Sequence, residues 1–140
     1  MADNHTPLQR SFNMSRIRGT DTKPEEMVRK YLFSKGLRYR KNDTRLPGKP
    51  DIVLPKYRAV VFVHGCFWHL HENCPYAVMP SSNTEYWSAK LTKNKKGDSH
   101  VQQQLTKLGW RVFVIWECQL KKDRRDRELD LLYKGINIGF

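Results

Sequence analysis

The sequence lacks any long apolar segment. Its first residues, MADNHTPLQRSFNM, contain no apolar signal core, and no run approaches the roughly 20 apolar residues of a membrane-spanning helix. Internal repeats and low-complexity segments are missing as well. We therefore expect a cytoplasmic protein that does not bind membranes.

Cysteine is also scarce, with three residues in a chain of 140. An odd and small number is a poor basis for a disulfide framework, and a reducing compartment would keep these thiols free. Metal binding is then the better explanation for them.

Acidic residues are few, since 14 aspartates and glutamates stand against 26 lysines and arginines and leave a formal net charge of +12. This excess, spread along the chain, predicts a polyanionic partner, above all nucleic acid. A basic protein with no such partner is the alternative. Binding to a membrane surface is disfavoured, because no basic amphipathic helix or lipidation motif stands out.

The length of the chain predicts one domain. Residues 1–20 are polar and basic, and we expect either a flexible arm that contacts DNA or a disordered leader. Residues 21–140 would form the single folded domain. Its first helix is predicted to begin with a capping box made by Thr22 and Glu25 and to stop at Gly36.

Two apolar segments, DIVL at 51–54 and AVVFV at 59–63, are predicted to pair as a hairpin. From Glu85 the pattern is helical. We expect an interruption near Gly97, after which Asp98 could cap a second helical piece.

The segment WRVFVIW at 110–116 is the most apolar strand and is expected at the centre of the sheet. Because a helix connects it to the preceding strand, the two should pair in parallel. The charged residues 121–134 predict a surface helix. The fold class is therefore α/β, with a mixed β-sheet flanked by helices.

The segment HGCFWHLHENC, residues 64–74, concentrates histidine and cysteine directly after an apolar strand. A fourth ligand can come from the end of the 110–116 strand, because strand ends of one sheet lie near each other. The predicted ligands of one ion are Cys66, His71, Cys74 and Cys118. A filled Cys3His set is typical of structural zinc. His69 and Glu72 are rival ligands, and ordinary buried cysteines are the alternative without a metal.

A second group of residues could cleave a phosphate ester. Asp51 opens one hairpin strand and His64 ends the next, so a carboxylate there can hold a hard divalent cation such as Mg²⁺. Such an ion polarises a phosphoryl oxygen and activates water, while His64 and His69 could transfer protons. Taken alone, Asp51 is explained as a turn residue and each histidine as a hydrogen-bonded structural group.

The aromatic residues Phe67 and Trp68 stand inside the same segment. If this loop projects from the sheet, their rings could wedge between base steps, which costs a few kcal/mol of unstacking. A base step that is already weakly stacked lowers that cost, so a protein can recognise such a step by how easily it deforms. The alternative is that Phe67 covers the core and that Trp87 packs as part of an amphipathic helix.

The segments LPGKPDIVL, FVHGCFWH, TEYW and LGWRVFVIWEC together resemble the very-short-patch-repair (Vsr) DNA mismatch endonuclease family, over about residues 10–120. The resemblance implies a restriction-endonuclease-like fold, catalytic Mg²⁺ and structural Zn²⁺. It implies that one strand of double-stranded DNA is nicked 5′ to the thymine of a T:G mismatch, the lesion left when 5-methylcytosine deaminates. It further implies a monomer that acts on the bacterial nucleoid in the cytoplasm.

The same resemblance assigns catalytic roles. Asp51 and the backbone carbonyl of Val63 would bind Mg²⁺, and His69 would be the general base. His64 and Glu25 would support the hydrated ion and the scissile phosphate, although Glu25 could simply complete the helix cap. The family's zinc ligands match Cys66, His71, Cys74 and Cys118.

DNA contacts follow from the resemblance as well. An aromatic trio would intercalate from the major groove beside the mismatch, namely Phe67, Trp68 and Trp87. Lys90 and Asn94, one helical turn apart, would contact the mismatched pair. Met14 and Ile17 lie where the arm would reach the minor groove.

The chain departs from the wider restriction-enzyme superfamily, in which a second carboxylate and a lysine follow the PD motif. Here those places hold Val63 and Gly65. Two alternative functions therefore stay open: a restriction-type or junction-cleaving nuclease that needs no mismatch, and a non-catalytic zinc-containing DNA-binding module. Contact with downstream mismatch-repair proteins is conceivable, although no motif shows it.

Overall fold

The computed structural model describes residues 22–138, which form three α-helices, four β-strands and two short 3-10 turns. In chain order they are α1 (Lys23–Ser34), β1 (Arg40–Lys41), β2 (Ile52–Leu54), β3 (Ala59–His64), α2 (Thr84–Lys107), β4 (Arg111–Trp116) and α3 (Arg125–Asn137). None of these helices is long and apolar enough to cross a membrane. The arm predicted over residues 1–20, with Met14 and Ile17, lies outside the described residues.

The four strands form one mixed sheet in the order β1-β2-β3-β4. Strands β2 and β3 pair as the predicted antiparallel hairpin, and β4 pairs with β3 in parallel. Helix α2 provides the crossover between β3 and β4, because two parallel neighbours cannot be joined by a tight turn. The parallel register sets His64 opposite Trp116, so the segments that follow both strands leave the sheet side by side.

The sheet is covered on both faces. On one face, residues of β2 and β3 pack against Val28 and Leu32 of α1 and Leu132 and Ile136 of α3. On the other face, strand residues pack against Leu105 of α2. The alternation of side chains along a strand explains why neighbouring residues of β2 join different clusters. The predicted α/β class, a mixed sheet flanked by helices, is confirmed.

Strand β4 is not at the centre of the sheet, and that prediction was wrong. Within residues 22–138 it is an edge strand whose side chains are mostly half-buried, whereas β2 and β3 are buried almost throughout. Its apolar residues led to the error, because a strand with helices over both faces needs apolar residues at the edge too.

Helix α2 runs without interruption through Gly97, so the predicted break was also wrong. One glycine costs a helix only about 1 kcal/mol, which 24 consecutive helical residues can absorb. The last helix, α3, is less of a surface element than its charge suggested, because Leu129, Leu132 and Ile136 are buried on one face.

Replacing Gly97 by alanine should stabilise the domain. An added Cβ would meet nothing within 4 Å, and alanine restricts the unfolded chain. We expect a gain of about 0.5–1 kcal/mol, seen as a rise of about 2–4 °C in the melting temperature measured by circular dichroism. Gly36→Ala is the control, since a φ of +86° there makes alanine unfavourable. A lower melting temperature for Gly97→Ala would contradict the prediction.

Candidate active site and metal centre

An open cleft of about 820 Å³ lies where β2 begins and β3 ends. Its walls come from the start of α1, the turn before β2, the loop after β3 and the middle of α2. The predicted catalytic and wedge residues on these walls are Glu25, Asp51, Val63, His64, Phe67, Trp68 and His69. The fold therefore brings together residues that lie up to 44 positions apart, from Glu25 to His69.

Asp51 is held in place by the neighbouring strand. The Val63 amide donates a hydrogen bond of 2.6 Å to the Asp51 carboxylate. Continuing the β2–β3 register would set Pro50 opposite Val63, and proline has no amide hydrogen to donate. Because the amide and carbonyl of one strand residue point to the same side, the Val63 carbonyl also faces the Asp51 side of the strand.

A second carboxylate, that of Glu25, stands beside Asp51. Burial raises the pKa of Asp51 to about 7, and the negative charge of Glu25 adds to the rise although the Val63 amide opposes it. Arg29 forms a buried ion pair with Glu25 at 3.3 Å. When both carboxylates are ionised, Arg29 balances one of the two charges, and a proton or a cation can balance the other.

Glu25 completes only half of the predicted capping box. Its backbone amide donates to the hydroxyl of Thr22 at 3.4 Å, as an N-cap requires. Its side chain is buried and contacts Arg29 and the Asp51 carboxylate. The capping role and the place in the cleft are therefore compatible, because they use different atoms of the residue.

Two imidazoles stack in the cleft. The rings of His64 and His69 lie 3.9 Å apart with an angle of 6° between their planes. The Nδ1 atom of His69 lies 2.6 Å from a carboxylate oxygen of Asp98 on α2. A carboxylate partner at Nδ1 fixes the ring orientation and favours the proton on that nitrogen, so Nε2 is left as the basic atom.

His64 is held in the neutral form. Burial lowers its pKa to about 4, and the neighbouring His69 adds to the effect. Its Nδ1 atom is the buried side-chain nitrogen for which residues 22–138 provide no hydrogen-bond partner. Near neutral pH the stacked pair therefore carries at most the charge of His69.

Asp98 is a site residue that sequence reasoning missed, because it was taken for a helix cap. The signal available was spacing: Asn94 and Asp98 are four residues apart and so share one face of α2. Asn94 donates to the Trp68 carbonyl at 3.1 Å, while Asp98 contacts His69. This face of α2 thus supports the loop that follows β3.

Three cysteines and one histidine gather beside the cleft. Their ligand atoms lie within 4.8 Å of one another, and the four residues are Cys66, His71, Cys74 and Cys118. Cys66 and Cys118 each stand two residues beyond the paired His64 and Trp116, so the parallel register brings them together. The Cys118 sulfur lies 3.4 Å from Nδ1 of His71.

The chemistry of this group suits a metal ion. Burial raises the pKa of Cys66 to about 12 and also raises that of Cys118. Although burial acts against it, the pKa of Cys74 is lowered, because the Tyr76 amide donates to its sulfur. A cation among the sulfurs would favour the thiolate forms that burial opposes.

The rival ligands are engaged elsewhere. Glu72 is exposed and forms a 2.7 Å ion pair with Lys95, whereas His69 contacts Asp98. Trp116, the last residue of β4, stacks on His71 at 4.0 Å and touches the His64 ring edge-on at 5.0 Å. It therefore lies between the Cys/His group and the stacked imidazoles.

The predicted aromatic trio forms a cluster of half-buried rings. Phe67 lies 5.1 Å from Trp68 and 5.5 Å from Trp87, measured between ring centroids. These rings belong to neither cluster of the hydrophobic core. Lys90 places its ammonium 5.9 Å from the Tyr86 ring at the border of the cluster. The alternative in which Phe67 covers the core does not describe this arrangement.

Fold and cleft define an α/β protein with paired carboxylates and two imidazoles, a set of groups suited to hydrolysis. A family model described as DNA mismatch endonuclease Vsr matches residues 2–75. The type II nicking enzyme V.NmeAIP of Neisseria meningitidis is 52% identical over 128 residues, which cover 91% of each chain. The DNA mismatch endonuclease Vsr of Escherichia coli is 44% identical over 121 residues, 86% of this chain and 77% of its own.

The chain therefore belongs to the Vsr family of DNA mismatch endonucleases. It is a nuclease, and its substrate is DNA. The type II nicking enzyme V.XorIIP of Xanthomonas oryzae is similar too, with 44% identity over 120 residues that cover 86% of this chain and 88% of that protein.

Proposed function

We propose that this endonuclease recognises T:G mismatches and nicks one strand 5′ to the mismatched thymine, which initiates repair of deaminated 5-methylcytosine. The observation that carries the proposal is a single cleft that holds Asp51, His69 and Trp68. Groups suited to hydrolysis and a ring suited to unstacking bases thus share one surface. We also propose that the fold is restriction-endonuclease-like.

Magnesium is the proposed catalytic cofactor. Asp51 and the Val63 carbonyl would hold it, because a buried carboxylate pair with a surplus negative charge suits a hard divalent cation. When bound, Mg²⁺ supplies positive charge that polarises the scissile phosphate. Glu25 would orient the waters around the ion, and its pairing with Arg29 keeps its carboxylate beside Asp51.

His69 is the proposed general base. Since Nδ1 faces Asp98, the Nε2 atom would take the proton from the water that attacks phosphorus. The resulting imidazolium would be stabilised by the Asp98 carboxylate. His64, held neutral and stacked on His69, would contact the scissile phosphate without adding a second positive ring.

Zinc is the proposed occupant of the Cys/His group, in a structural role. Cys66, His71, Cys74 and Cys118 supply the four ligands of a closed tetrahedral site, which leaves none open for water. The site would attach the loop that carries His69 and Trp68 to the end of β4. It would therefore fix the positions of both residues relative to Asp51.

The aromatic cluster is the proposed mismatch reader. Phe67, Trp68 and Trp87 would enter the base stack. Lys90 and the side-chain oxygen of Asn94 would contact the mismatched bases. The Asn94 amide nitrogen is already bonded to Trp68. Met14 and Ile17, in the arm proposed over residues 1–20, would contact the minor groove, and residues 21–140 would form the nuclease domain.

Replacing Trp68 by alanine should abolish much of the preference for mismatched DNA. Losing one stacked ring removes about 1–3 kcal/mol, so the ratio of T:G to T:A nicking rates should fall about 5- to 150-fold. The measurement is nicking of both labelled duplexes with Mg²⁺ present. Tyr76→Ala, which removes an exposed ring from the same loop, should leave the ratio unchanged. An unaltered ratio in Trp68→Ala would refute the wedge.

The function itself is tested with labelled T:G and T:A duplexes, each incubated with Mg²⁺ or without it. We expect one nick, in the thymine strand of the T:G duplex, only when Mg²⁺ is present. Equal cleavage of both duplexes would indicate a restriction-type nuclease. Binding without any nick would indicate a non-catalytic zinc-containing DNA-binding module.

The remaining features of the proposal concern its setting. The protein would act as a monomer, because a mismatch is an asymmetric lesion that one site can read. It would work on the nucleoid in the bacterial cytoplasm and hand the nicked strand to downstream mismatch-repair proteins. Sedimentation of the protein–duplex complex tests the first point: a ratio of one protein to one duplex is expected.

A further inference from the structure

The charge of the cleft poses a problem for an anionic substrate. Its walls carry the acidic side chains of Glu25, Asp51, Asp98 and Glu117. The buried Arg29 is paired with Glu25 and so offsets one of these four charges. A DNA phosphate that approaches Asp51 needs a cationic side chain on the wall, because like charges repel strongly at short range.

Among residues 22–138, the lysines that line this cleft are Lys23 and Lys49. Lys23 is the first residue of α1. It is exposed, and nothing in its backbone conformation is unusual for the start of a helix. Lys49 stands two residues before Asp51, and its amide donates to the Leu46 carbonyl at 3.1 Å in a tight turn. The salt bridges found within residues 22–138 involve basic side chains other than those of Lys23 and Lys49.

The backbone at Lys49 is unusual. Its φ angle is +50°, in the left-handed region where a lysine is uncommon. The preceding Gly48 has a φ of +73°, and a Cβ there would lie 2.2 Å from a methyl carbon of Val101. Gly48 therefore packs too closely against α2 to carry a side chain, and the turn runs through two consecutive left-handed residues.

A strained residue persists where its side chain has a use, because glycine or asparagine would meet the same backbone demand at lower cost. Among the other left-handed non-glycine residues within 22–138, three are asparagines, Asn42, Asn73 and Asn83. Arg58 uses its side chain in contacts with Leu108 and Trp110, and Leu70 is the remaining one. At position 49 the sequence instead keeps a long cationic side chain, at the mouth of the site that holds Asp51.

We propose that Lys49 is a positioning residue that binds a phosphate of the nicked strand and holds the scissile bond against Asp51. The inference rests on the proposed nicking function and adds a residue to it. The turn at Gly48 and Lys49 places this side chain on the cleft wall, two residues before Asp51, where it can meet a phosphate that enters the site. A lysine suits this task as a mobile point charge for phosphate.

The test compares Lys49→Gly and Lys49→Arg with wild type. Glycine removes the ammonium but accepts the backbone, so loss of the charge is separated from disruption of the turn. We expect Lys49→Gly to melt no lower than wild type and to nick a T:G duplex about 10–100-fold more slowly under single-turnover conditions. Arginine should restore the rate to within about threefold of wild type. Lys122→Gly, an exposed lysine in a turn outside the cleft, is the control.

Salt dependence provides the second readout. Loss of one phosphate contact should reduce the slope of log Kd against log salt concentration by about 1 in Lys49→Gly, whereas Lys122→Gly should keep the wild-type slope. Nicking by Lys49→Gly within about threefold of wild type, or no recovery with arginine, would overturn the inference. If the wild-type protein does not nick at all, the proposed function is wrong. The inference about Lys49 is then tested by DNA binding alone, and an unchanged slope of log Kd against log salt concentration in Lys49→Gly would overturn it.

Discussion

Replacing Asp51 by asparagine is expected to lower the rate of T:G nicking by about a thousandfold or more. Each loss of about 1.4 kcal/mol of transition-state stabilisation is tenfold in rate, and a catalytic cation contributes several kcal/mol. Asparagine would remove the negative charge of the carboxylate proposed to hold Mg²⁺. The measurement is single-turnover nicking with saturating Mg²⁺, because it separates the chemical step from product release.

Asparagine is the informative replacement because it keeps the shape of the side chain. Its carbonyl oxygen can still accept the hydrogen bond from the Val63 amide, so the turn between Pro50 and β2 should survive. Affinity for a T:G duplex in magnesium-free buffer should be unchanged or higher, since one negative charge leaves the cleft. Asp126→Asn, an exposed aspartate on α3, is the matched control and should nick at the wild-type rate.

The same variant should be at least as stable as wild type at pH 7.5 in magnesium-free buffer. Burial and Glu25 raise the pKa of Asp51 to about 7, so ionising this group at neutral pH opposes folding. Asparagine removes that cost and gives the combination of lower activity and equal or higher stability that marks a catalytic residue. Unfolding at a lower temperature, or nicking within about tenfold of wild type, would show that Asp51 serves the fold instead.

The elements that could be predicted from the sequence are those set by local patterns. Two continuous apolar segments joined by a short turn predicted the hairpin of β2 and β3, and the intervening helix predicted the parallel pairing of β4. That pairing was enough to bring Cys118 towards Cys66, although the two are 52 residues apart. The Cys/His group could thus be predicted from topology together with residue chemistry.

What escaped prediction depends on tertiary packing. Strand β4 is as apolar as a central strand. Its position at the edge depends on which strands pair with β3 and β4, which its own residues do not determine. Asp98 follows a glycine and so matched a helix cap, and only the docking of α2 against the loop brings it to His69. Local signals of this kind are overridden when a longer element gains more by packing.

Glu25 shows a different limit of sequence analysis, because its position fits both a helix cap and an active-site carboxylate. Its spacing from Thr22 satisfied a capping rule, and that rule explained the residue without any site. The structure satisfies the cap with the Glu25 amide and leaves the carboxylate beside Asp51. The burial of the Glu25 side chain is what distinguishes a site residue from a cap, and only the structure shows it.

Replacing Cys118 by serine should remove the proposed zinc and with it most of the activity. Serine is a poor zinc ligand, and three remaining ligands cannot close a structural site. We expect zinc, measured by atomic emission, to fall from one per chain in wild type to a small fraction. The melting temperature should drop by more than about 10 °C, because apparent zinc-binding free energies of roughly 10–16 kcal/mol stabilise only the folded state. T:G nicking should be lost as well, since the loop with His69 would no longer be attached to β4.

Two further variants distinguish loss of the metal from general damage. His71→Cys converts the group into four cysteines, which also bind zinc tetrahedrally, so it should keep about one zinc per chain and a melting temperature near that of wild type. Glu72→Gln alters a residue of the same loop that pairs with Lys95 instead of joining the group, and it should keep both zinc and activity. Wild-type protein with no zinc after purification in zinc-supplemented medium would end the assignment. So would full zinc content in Cys118→Ser, because the ion would then have to be held by other ligands.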